Sequence, residues 1–400
     1  MNSLRPALSR REILLSAAVA PLAGAAARTI TVHAFDPMGK PAGARQLESL
    51  LLINEDSRPF ELLPKLTGEG VATISLPPGN FQLMMRLPVA GFGEVYLYAD
   101  DVRGPEALLN YEFARSRAAL VRRYVKAAQS AGVSFSAGLL KRLEMGEEAL
   151  RRAAAANEVA ERVRHSNDSL AETMWAGEMA ALERARRRIE RQGPRPGFLF
   201  GAAAFGLARS AEYAERYTAL LNYGTVPFYR ATTEPVEGKV NYKQVDGILA
   251  QPAGASLMWK GHPLVWLNRA SVPEFLKQKS WPELQASWRD YILRSVSRYR
   301  TRIHAWDVIN EAHDWGNLLR LAPEQLVELT RLAAETTRQA DPTAFRVVNN
   351  CTLWGEYVAR RLYTGGTLDR PCRTVLEYLR AVRDARIDYE AIGLQIYCPG

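Results

Sequence analysis

The feature that most constrains the fold is a series of short apolar runs that alternate with helical stretches over the second half of the sequence. The apolar runs, which we interpret as strands, are residues 198–203, 223–229, 257–266, 303–309, 345–348 and 391–397. Helical stretches lie between several of them, for example residues 273–300 and 323–339. Repeated strand-helix units predict a parallel sheet, and no glycine-rich phosphate loop follows the first strand to favour a dinucleotide fold. We therefore expect an α/β fold, a (β/α)8 TIM barrel of which this chain contains about six strands.

The first half of the sequence predicts two further units. Residues 29–100 alternate apolar and polar side chains in short runs separated by Pro and Gly clusters. This pattern is typical of a small β-sandwich, which we expect to be an independent module. Residues 105–192 are rich in Ala, Arg and Glu and are interrupted near Gly132, which predicts amphipathic helices that pack on a neighbouring domain. The expected domains are an export signal at 1–27, a β-sandwich at 28–104, a helical segment at 105–192 and the incomplete barrel at 193–400.

The predicted β-sandwich contains no tryptophan. Flat aromatic faces are the surfaces against which the C–H groups of sugar rings stack. We therefore expect a structural or docking role for this region in preference to carbohydrate binding. An interaction of the sandwich and the basic helices with cell-envelope polymers remains an open alternative.

The first 27 residues have the pattern of an export signal. Arg10 and Arg11 precede a short apolar run that ends at Leu22, and three alanines at 25–27 form a small-residue cleavage site. Paired arginines ahead of such a run resemble a bacterial twin-arginine signal. The run is shorter than the roughly 20 apolar residues that a membrane-spanning helix needs. We therefore expect an exported protein, periplasmic or extracellular, with no stable membrane span after signal cleavage.

The formal net charge of +9 invites a nucleic-acid interpretation. The arginines, however, are concentrated between Arg115 and Arg191, where they are interleaved with Glu and Ala. This is the pattern of a solvated helix surface. We therefore do not expect a nucleic-acid partner.

The three cysteines all lie in the last fifty residues, at Cys351, Cys372 and Cys398. Their spacing is neither that of a disulfide framework nor that of a metal site, and at most one disulfide can form among them. No other part of the chain supplies a clustered set of His and Cys. We therefore expect neither a metal nor a cofactor.

Two of the predicted strands end in residues that can carry out chemistry. The first run is Trp-Lys-Gly-His-Pro-Leu-Val-Trp at 259–266, and the second is Trp-Asp-Val-Ile-Asn-Glu-Ala-His-Asp-Trp at 306–315. In a TIM barrel the catalytic groups project from the carboxyl ends of the strands. An apolar pocket around Glu311 would disfavour its charged form and so favour a proton donor, while the neighbouring Asn310 amide could bind a substrate hydroxyl.

The order of these motifs resembles that of the family 10 glycoside hydrolases, a group of endo-1,4-β-xylanases. The Gly-His-Pro-Leu-Val-Trp run, the Trp-Asp-Val-Ile-Asn-Glu-Ala run and Ile-Gly-Leu-Gln-Ile-Tyr at 392–397 look like the third, fourth and sixth strand motifs of that family. The resemblance covers residues 198–400, about half of the chain. The upstream sandwich and helices lie outside the catalytic domain of the family.

The resemblance implies a polysaccharide or oligosaccharide substrate and a retaining double displacement by two carboxylates. It assigns the general acid/base to Glu311 and a hydroxyl-binding amide to Asn310. His262 and Trp266 match positions that line the sugar site, although barrel packing is an alternative role for Trp266. Gln395 matches a residue that supports the nucleophile region. These residues, with Tyr229 and Tyr397 at positions where the sequence departs from the family, are the candidate substrate-binding set.

Several positions differ from the family pattern. The second-strand motif, with Glu, Asn and Lys facing the sugar, is replaced by Thr-Val-Pro-Phe-Tyr-Arg at 225–230. Leu267 and Tyr397 each stand where the family has His. Losing a Lys and two His removes contacts to sugar hydroxyls, so the xylan specificity of the family does not transfer directly.

The nucleophile Glu of the family lies on the seventh strand, beyond residue 400. Six strands cannot close an eight-stranded barrel, so we expect this chain to be part of a longer protein and to be inactive by itself along a retaining route. The alternative function is a non-catalytic glycan-binding or cell-envelope scaffold protein on a degenerate barrel.

Overall fold

A computed structural model describes residues 28–100, 102, 104–193, 195–363 and 366–396. The predicted export signal, Tyr397 and Cys398 lie outside the described residues. The N-terminal strands are β1 Thr29–His33, β2 Leu51–Ile53, β3 Lys65–Gly68, β4 Val71–Ser75, β5 Gln82–Val89, β6 Gly93–Asp100 and β7 Glu106–Leu108, with a short helix α1 Ala44–Glu48. They form one sheet in the order β3-β4-β1-β7 and a second in the order β2-β5-β6.

The two sheets enclose a common apolar core. Ile30 of β1 and Ile74 of β4 belong to the same buried cluster as Leu83 of β5 and Leu97 of β6. The alternation of buried and exposed residues along β1 and β4 is the pattern from which the sandwich was predicted. The predicted β-sandwich is therefore confirmed, and its last strand, β7, lies in the segment that the sequence pattern assigned to the helices.

Three helices follow, α2 Leu109–Ser130, α3 Ala137–Ala155 and α4 Val159–Gln192. Phe113 of α2 and Leu170 of α4 are buried in the core of the sandwich. The buried Asn110 side chain also bonds both backbone groups of Phe35, at 2.9 Å each. The apolar core of the sandwich thus includes side chains of α2 and α4, whereas independent folding of the module stays a prediction.

The second half of the chain contains the predicted strand-helix units. Its strands are β8 Gly201–Ala203, β9 Tyr223–Pro227, β10 Met258–His262, β11 Val265–Trp266, β12 Ala305–Asn310, β13 Phe345–Asn350, β14 Leu362–Tyr363, β15 Gly366–Thr367 and β16 Ala391–Leu394. Its helices are α5 Ala211–Leu220, α6 Arg230–Thr233, α7 Lys243–Leu249, α8 Trp281–Tyr299, α9 Pro323–Ala340, α10 Glu356–Arg360 and α11 Val375–Asp384, with 3-10 helices at Pro252–Ser256 and Glu274–Gln278. None of the described helices has the length and apolarity needed to cross a membrane.

Six of these strands form a parallel sheet in the order β8-β9-β10-β12-β13-β16. Consecutive strands are neighbours, which is the topology of a (β/α)8 barrel, and the predicted incomplete barrel of six strands is confirmed. The run predicted as a single strand at 257–266 is divided into β10 and β11 around Pro263, whose nitrogen cannot donate to a sheet. The helix predicted at 273–300 begins only at Trp281, because Ser280 and Glu283 form a capping box there.

Close packing of Trp306 on Gly261 fixes the position of β12 in the sheet. An added Cβ at Gly261 of β10 would lie 2.2 Å from the Trp306 ring. Trp306 is fully buried and its ring centroid lies 4.7 Å from that of Phe228. Because no larger residue fits at 261, this contact fixes β12 relative to β10 and so positions the residues at the end of β12.

The β-sandwich packs on the barrel through the segment that follows β13. Leu51, Ile53 and Met84 bury Ala359 of α10 in a small apolar cluster. The Tyr96 hydroxyl donates to Glu356 at 2.7 Å, and its ring stacks on that of Trp354 with centroids 6.0 Å apart. Surface ion pairs surround this contact, namely Arg380–Asp56, Arg361–Glu61 and Arg58–Glu377.

Candidate active site

The predicted site residues meet at the carboxyl ends of the barrel strands. Tyr229 follows β9, His262 ends β10, Trp266 ends β11 and Asn310 ends β12, with Glu311 directly after it. Gln395 follows β16, on the far side of β13. Parallel strands bring their carboxyl ends to the same edge of a sheet, so residues far apart in sequence converge there.

Glu311 is held in a sharp bend of the chain. Its φ of +55° is in the left-handed region, which a residue with a side chain rarely adopts. Its backbone N–H donates to the Asn349 carbonyl at 2.8 Å, and its carbonyl accepts from Gly316 at 3.3 Å. Backbone strain of this kind persists where the surroundings fix it, typically at functional sites.

Both carboxylate oxygens of Glu311 accept a side-chain hydrogen bond. The indole N–H of Trp266 donates to Oε2 at 2.9 Å, and the Gln395 amide donates to Oε1 at 3.0 Å. Glu311 is only 6% exposed. The carboxylate is therefore oriented by two donors, which come from elements 45 and 84 residues away in sequence.

The side-chain amide of Asn310, next to Glu311, is hydrogen-bonded through its oxygen. Its Oδ1 accepts from Asn349 at 2.9 Å and from Gln395 at 3.2 Å. Its Nδ2 is buried and finds no acceptor among the residues that the structure describes. A buried donor without a partner costs on the order of 1–3 kcal/mol, and a substrate hydroxyl at this position would remove that cost.

His262 is oriented by a buried carboxylate. Its Nδ1 lies 2.6 Å from Oδ2 of Asp307, which is fully buried, and Lys260 Nζ lies 2.9 Å from the same oxygen. A carboxylate only accepts, so the proton is on Nδ1 and Nε2 is left for another partner. A β-bulge between Asp307 and Ile309 adds one residue to β12 at this point, which locally re-aims its side chains.

Aromatic rings cover the site from the side of β9. The Tyr229 ring lies 5.9 Å from the His262 ring and 5.8 Å from the Trp266 ring, measured between centroids. All three side chains are half-buried. They form a partly exposed aromatic surface next to Glu311, of the type on which sugar rings stack.

A buried layer lies beneath the Glu311 bend. His313 Nδ1 is 2.9 Å from the Tyr357 hydroxyl, and its Nε2 is 3.8 Å from the Cys351 sulfur. Burial lowers the pKa of His313 to about 4, so the ring is neutral near pH 7. Burial and the neighbouring Glu311 carboxylate raise the pKa of the Cys351 thiol, which therefore stays protonated. Cys351 and Cys372 are both free thiols.

The loop after Glu311 is held by an ion pair. Asp314, fully buried, accepts from both terminal nitrogens of Arg370 at 2.8 and 3.2 Å, and from the Arg373 backbone at 2.8 Å. The Asn317 side chain closes the same loop by bonding both backbone groups of Leu321. The bend that presents Glu311 is thus fixed at both ends.

Most of the predicted site residues come together in the structure. Glu311, Asn310, Trp266 and Gln395 are joined by hydrogen bonds, while His262 and Tyr229 adjoin Trp266 through ring contacts. The Gln395 amide donates to Glu311 and Asn310, and its predicted position near the nucleophile stays a prediction. Tyr397 lies outside the described residues.

Sequence reasoning missed Asp307, Lys260, Asn349 and Cys351. Asp307 and Lys260 left a signal, because strand alternation places Lys260 and His262 on one face of β10, where half-buried donors need an acceptor such as a carboxylate. Nothing in the pattern indicated Asn349 or Cys351. Within the part of the chain that the structure describes, no group of three or more His, Cys, Asp or Glu is arranged to hold a metal ion.

Known proteins resemble this region of the chain. Residues 229–395 match glycosyl hydrolase family 10, an interval that begins at Tyr229 and ends at Gln395. The endo-1,4-beta-xylanase C of Paenibacillus barcinonensis is 27% identical over 145 residues, which are 30% of this chain and 13% of that protein. The endo-1,4-beta-xylanase A of Humicola insolens is 25% identical over 169 residues, 41% of each protein. The chain therefore spans less than half the length of either relative.

Solved structures of family 10 proteins superpose on about half of the chain. A family 10 structure from Paenibacillus barcinonensis superposes with a TM-score of 0.41 at 20% identity, covering 50% of this chain and 60% of the other. A family 10 xylanase from Thermobacillus composti has a TM-score of 0.38 at 25% identity, covering 50% and 57%. Residues 229–395 therefore resemble glycosyl hydrolase family 10 in sequence, and they lie in a parallel sheet whose strand order is that of an incomplete barrel.

Proposed function

We propose that the protein hydrolyses O-glycosidic bonds in a β-1,4-linked, xylan-like polysaccharide by a retaining double displacement, with Glu311 as the general acid/base. The family match and the xylanase activity for which both relatives are named support the reaction class. The loss of the Lys and two His that face the sugar in the family makes the identity of the glycan a separate question. We propose no metal or cofactor in this reaction.

One observation carries the proposal, namely the pairing of Glu311 with the Asn310 amide. The carboxylate of Glu311 is oriented by Trp266 and Gln395, and the buried Asn310 Nδ2 beside it has no acceptor among the described residues. A carboxyl group and a hydroxyl-binding donor at adjacent positions suit a sugar whose glycosidic oxygen and ring hydroxyl are neighbours.

In the proposed reaction Glu311 first acts as an acid. A carboxylate nucleophile attacks the anomeric carbon, the bond to the leaving oxygen breaks, and Glu311 gives its proton to that oxygen. Glu311 then accepts a proton from the water that attacks the same carbon, and the bond to the nucleophile breaks. The N–H groups of Trp266 and Gln395 stabilise the charged form of Glu311 that exists between the two steps.

The retaining route needs a second carboxylate roughly 5–5.5 Å from the first. We propose that this nucleophile lies on a strand after β16, where the family resemblance places it, and that residues 1–400 alone are inactive. Hydrolysis experiments therefore need a protein that includes such a strand. Binding experiments need only the site described above.

The test is hydrolysis of a panel of β-1,4-linked polysaccharides by the full-length protein, with release of reducing ends as the measurement. Activity on a xylan that is abolished in Glu311→Ala supports the proposal. A product whose anomeric configuration is inverted would contradict the retaining route. Activity that survives in Glu311→Ala would mean that the acid/base lies elsewhere.

A glycan-binding protein without turnover is the second candidate function. The half-buried aromatic surface of Tyr229, Trp266 and His262 favours it, because stacking on such a surface requires no nucleophile. Oligosaccharide binding that is weakened by Asn310→Ala, together with no hydrolysis by the full-length protein on any substrate of the panel, would favour this alternative.

We also propose that the protein is exported, periplasmic or extracellular, by a twin-arginine route. The support is the sequence alone, in which Arg10 and Arg11 precede a short apolar run and a small-residue cleavage site. A polysaccharide substrate outside the cell is consistent with a periplasmic or extracellular location.

A further inference from the structure

A cavity of about 460 Å³ lies between the β-sandwich and the barrel. The sandwich side contributes Arg45, Glu48, Arg86 and Tyr96 to its lining, and the barrel side contributes Trp315 and Thr352. Cavities of about 300–1,000 Å³ are the usual size of small-molecule sites. The cavity exists only because the two domains pack together, so neither domain contains it alone.

The cavity adjoins the site described above through two short stretches of chain. Trp315 precedes Gly316, where an added Cβ would lie 3.4 Å from Trp266 Nε1 and 3.7 Å from Glu311 Cβ. Thr352 follows Cys351, whose thiol interacts with the Glu311 carboxylate. Trp315 and Thr352, two of the barrel residues that line the cavity, are therefore chain neighbours of residues that lie close to Glu311.

The aromatic side chains in the cavity are held rigidly. Tyr96 stacks on Trp354 and donates to Glu356, while the Trp315 ring packs edge-on against Tyr357 with centroids 5.9 Å apart. Trp315 and Tyr96 are both half-buried, so part of each side chain faces solvent. Rigid, partly exposed aromatic rings offer apolar contact area at little entropic cost.

The polar side chains suit hydroxyl groups better than a free anion. Arg45, Arg86 and Arg360 supply donors, and Glu48 and Glu356 supply acceptors, all within one lining. Arg86 also has Glu94 at 3.5 Å. A carboxylate or phosphate ligand would lie beside the two glutamates of the lining, Glu48 and Glu356, whereas a sugar hydroxyl can both donate and accept.

We propose that this cavity is a binding subsite for a neutral sugar unit of the polysaccharide, at a distance from the bond that is cleaved. The inference rests on the proposed function, because it assigns the cavity to the same glycan chain that occupies the site at Glu311. The β-sandwich then takes part in carbohydrate binding even though it contains no tryptophan, because the barrel supplies Trp315.

The experiment compares two β-1,4-linked xylo-oligosaccharides of six and two units, titrated calorimetrically into the full-length protein carrying Glu311→Gln to prevent turnover. The variant Arg45→Ala/Glu48→Ala removes two exposed polar side chains of the sandwich and keeps the Glu48 carbonyl to which Arg360 donates. The matched control is Arg187→Ala/Glu190→Ala, an exposed pair that lines a groove between α2 and α4. Thermal midpoints check the folding of each variant.

We expect the six-unit oligosaccharide to bind the Arg45→Ala/Glu48→Ala variant about 10-fold more weakly than the protein with both side chains. This is the loss expected when hydrogen bonds to charged groups are removed. The two-unit oligosaccharide and the control variant should be unaffected. Trp315→Phe is a second variant. It should also weaken the binding of the six-unit oligosaccharide and not that of the two-unit one, with a smaller loss of affinity. Equal losses on both oligosaccharides, or no loss, would overturn the subsite but leave the proposed function in place if Asn310→Ala weakens two-unit binding. Absence of binding by either oligosaccharide would overturn both.

Discussion

The indole N–H of Trp266 donates to Oε2 of Glu311 across 2.9 Å, and this bond joins the end of β11 to the bend after β12. Gln395 donates to the other carboxylate oxygen. Trp266 therefore contacts the candidate acid/base directly, while the sugar-lining role that the family resemblance implies for it stays a prediction. Replacing Trp266 by Phe removes this contact together with the five-membered ring of the indole, so the test needs a control that loses the same atoms.

Trp266→Phe keeps an aromatic ring and removes this donor. Hydrogen bonds to charged groups contribute about 1.5–3 kcal/mol, so we expect kcat of the full-length protein to fall by about 10-fold to 100-fold. The matched control is Trp281→Phe, which removes an indole bond of 3.2 Å to Glu328 on the helical surface. A loss in the control as large as that in Trp266→Phe would assign the effect to folding.

Glu311→Gln keeps the shape of the side chain and removes its proton. Hydrolysis of glycosides with poor leaving groups should fall by about 10²–10⁴, the usual contribution of general acid catalysis. Activated aryl glycosides need little protonation, so their glycosylation step should be spared. Pre-steady-state release of the aryl group measures that step. An equal loss on both substrate types in that step would refute the assignment of Glu311 as the acid.

Asp307→Asn should disturb both His262 and Lys260, since both contact the same carboxylate oxygen. A hydrogen bond to a charged group contributes about 1.5–3 kcal/mol, so the loss of the Asp307 carboxylate should cost about 10-fold to 100-fold in activity. We expect that loss in kcat/KM, with a change in the ¹⁵N chemical shifts of the His262 ring that reports its tautomer. Asp246→Asn, at a surface pair with Arg298, is the control. Unchanged His262 shifts would mean that Asp307 does not set the tautomer.

His313 should make the protein less stable in acid. Its pKa is lowered from 6.5 to about 4 by burial, so between these values the unfolded chain binds a proton that the folded chain does not. The free energy of unfolding therefore falls as the pH drops from 6.5 to 4, by about 3 kcal/mol from this residue.

His313→Asn removes the titrating group and should flatten this pH dependence, although it lowers the stability at pH 7. Urea unfolding at pH 7 and at pH 4.5 measures the difference for variant and wild type, and other titrating groups cancel in the comparison. If the two proteins lost the same stability on acidification, the buried neutral state of His313 would not be responsible.

Replacing Arg10 and Arg11 together by Lys should leave the precursor in the cytoplasm, because twin-arginine export depends on the paired arginines. Fractionation of cells followed by immunoblotting distinguishes precursor from cleaved protein. A control that replaces Arg28 by Lys, just after the signal, should be exported normally. Unchanged export of the Arg10/Arg11 variant would reject this route.

The order of strands and helices in the barrel followed from sequence, because hydrophobic periodicity is a local property. The same applies to Glu311 and Asn310, which an apolar run places at a strand end. The approximate bounds of β12 and α9 could be predicted for this reason. The division of β10 and β11 at Pro263, and the late start of α8, depended on capping and turn chemistry that the periodicity does not contain.

Only the tertiary structure decided which residues meet. Gln395 reaches Glu311 from 84 residues away, and this depends on the pairing of β16 with β13, where Gly393 leaves room for Asn349. Asp307 was visible in the sequence, but its role requires His262 to lie opposite it. The packing of Phe113 into the sandwich, and the cavity between Tyr96 and Trp315, likewise arise from domain contacts. A single sequence specifies such contacts through the energy of the whole fold, whereas local patterns specify only the elements that make them.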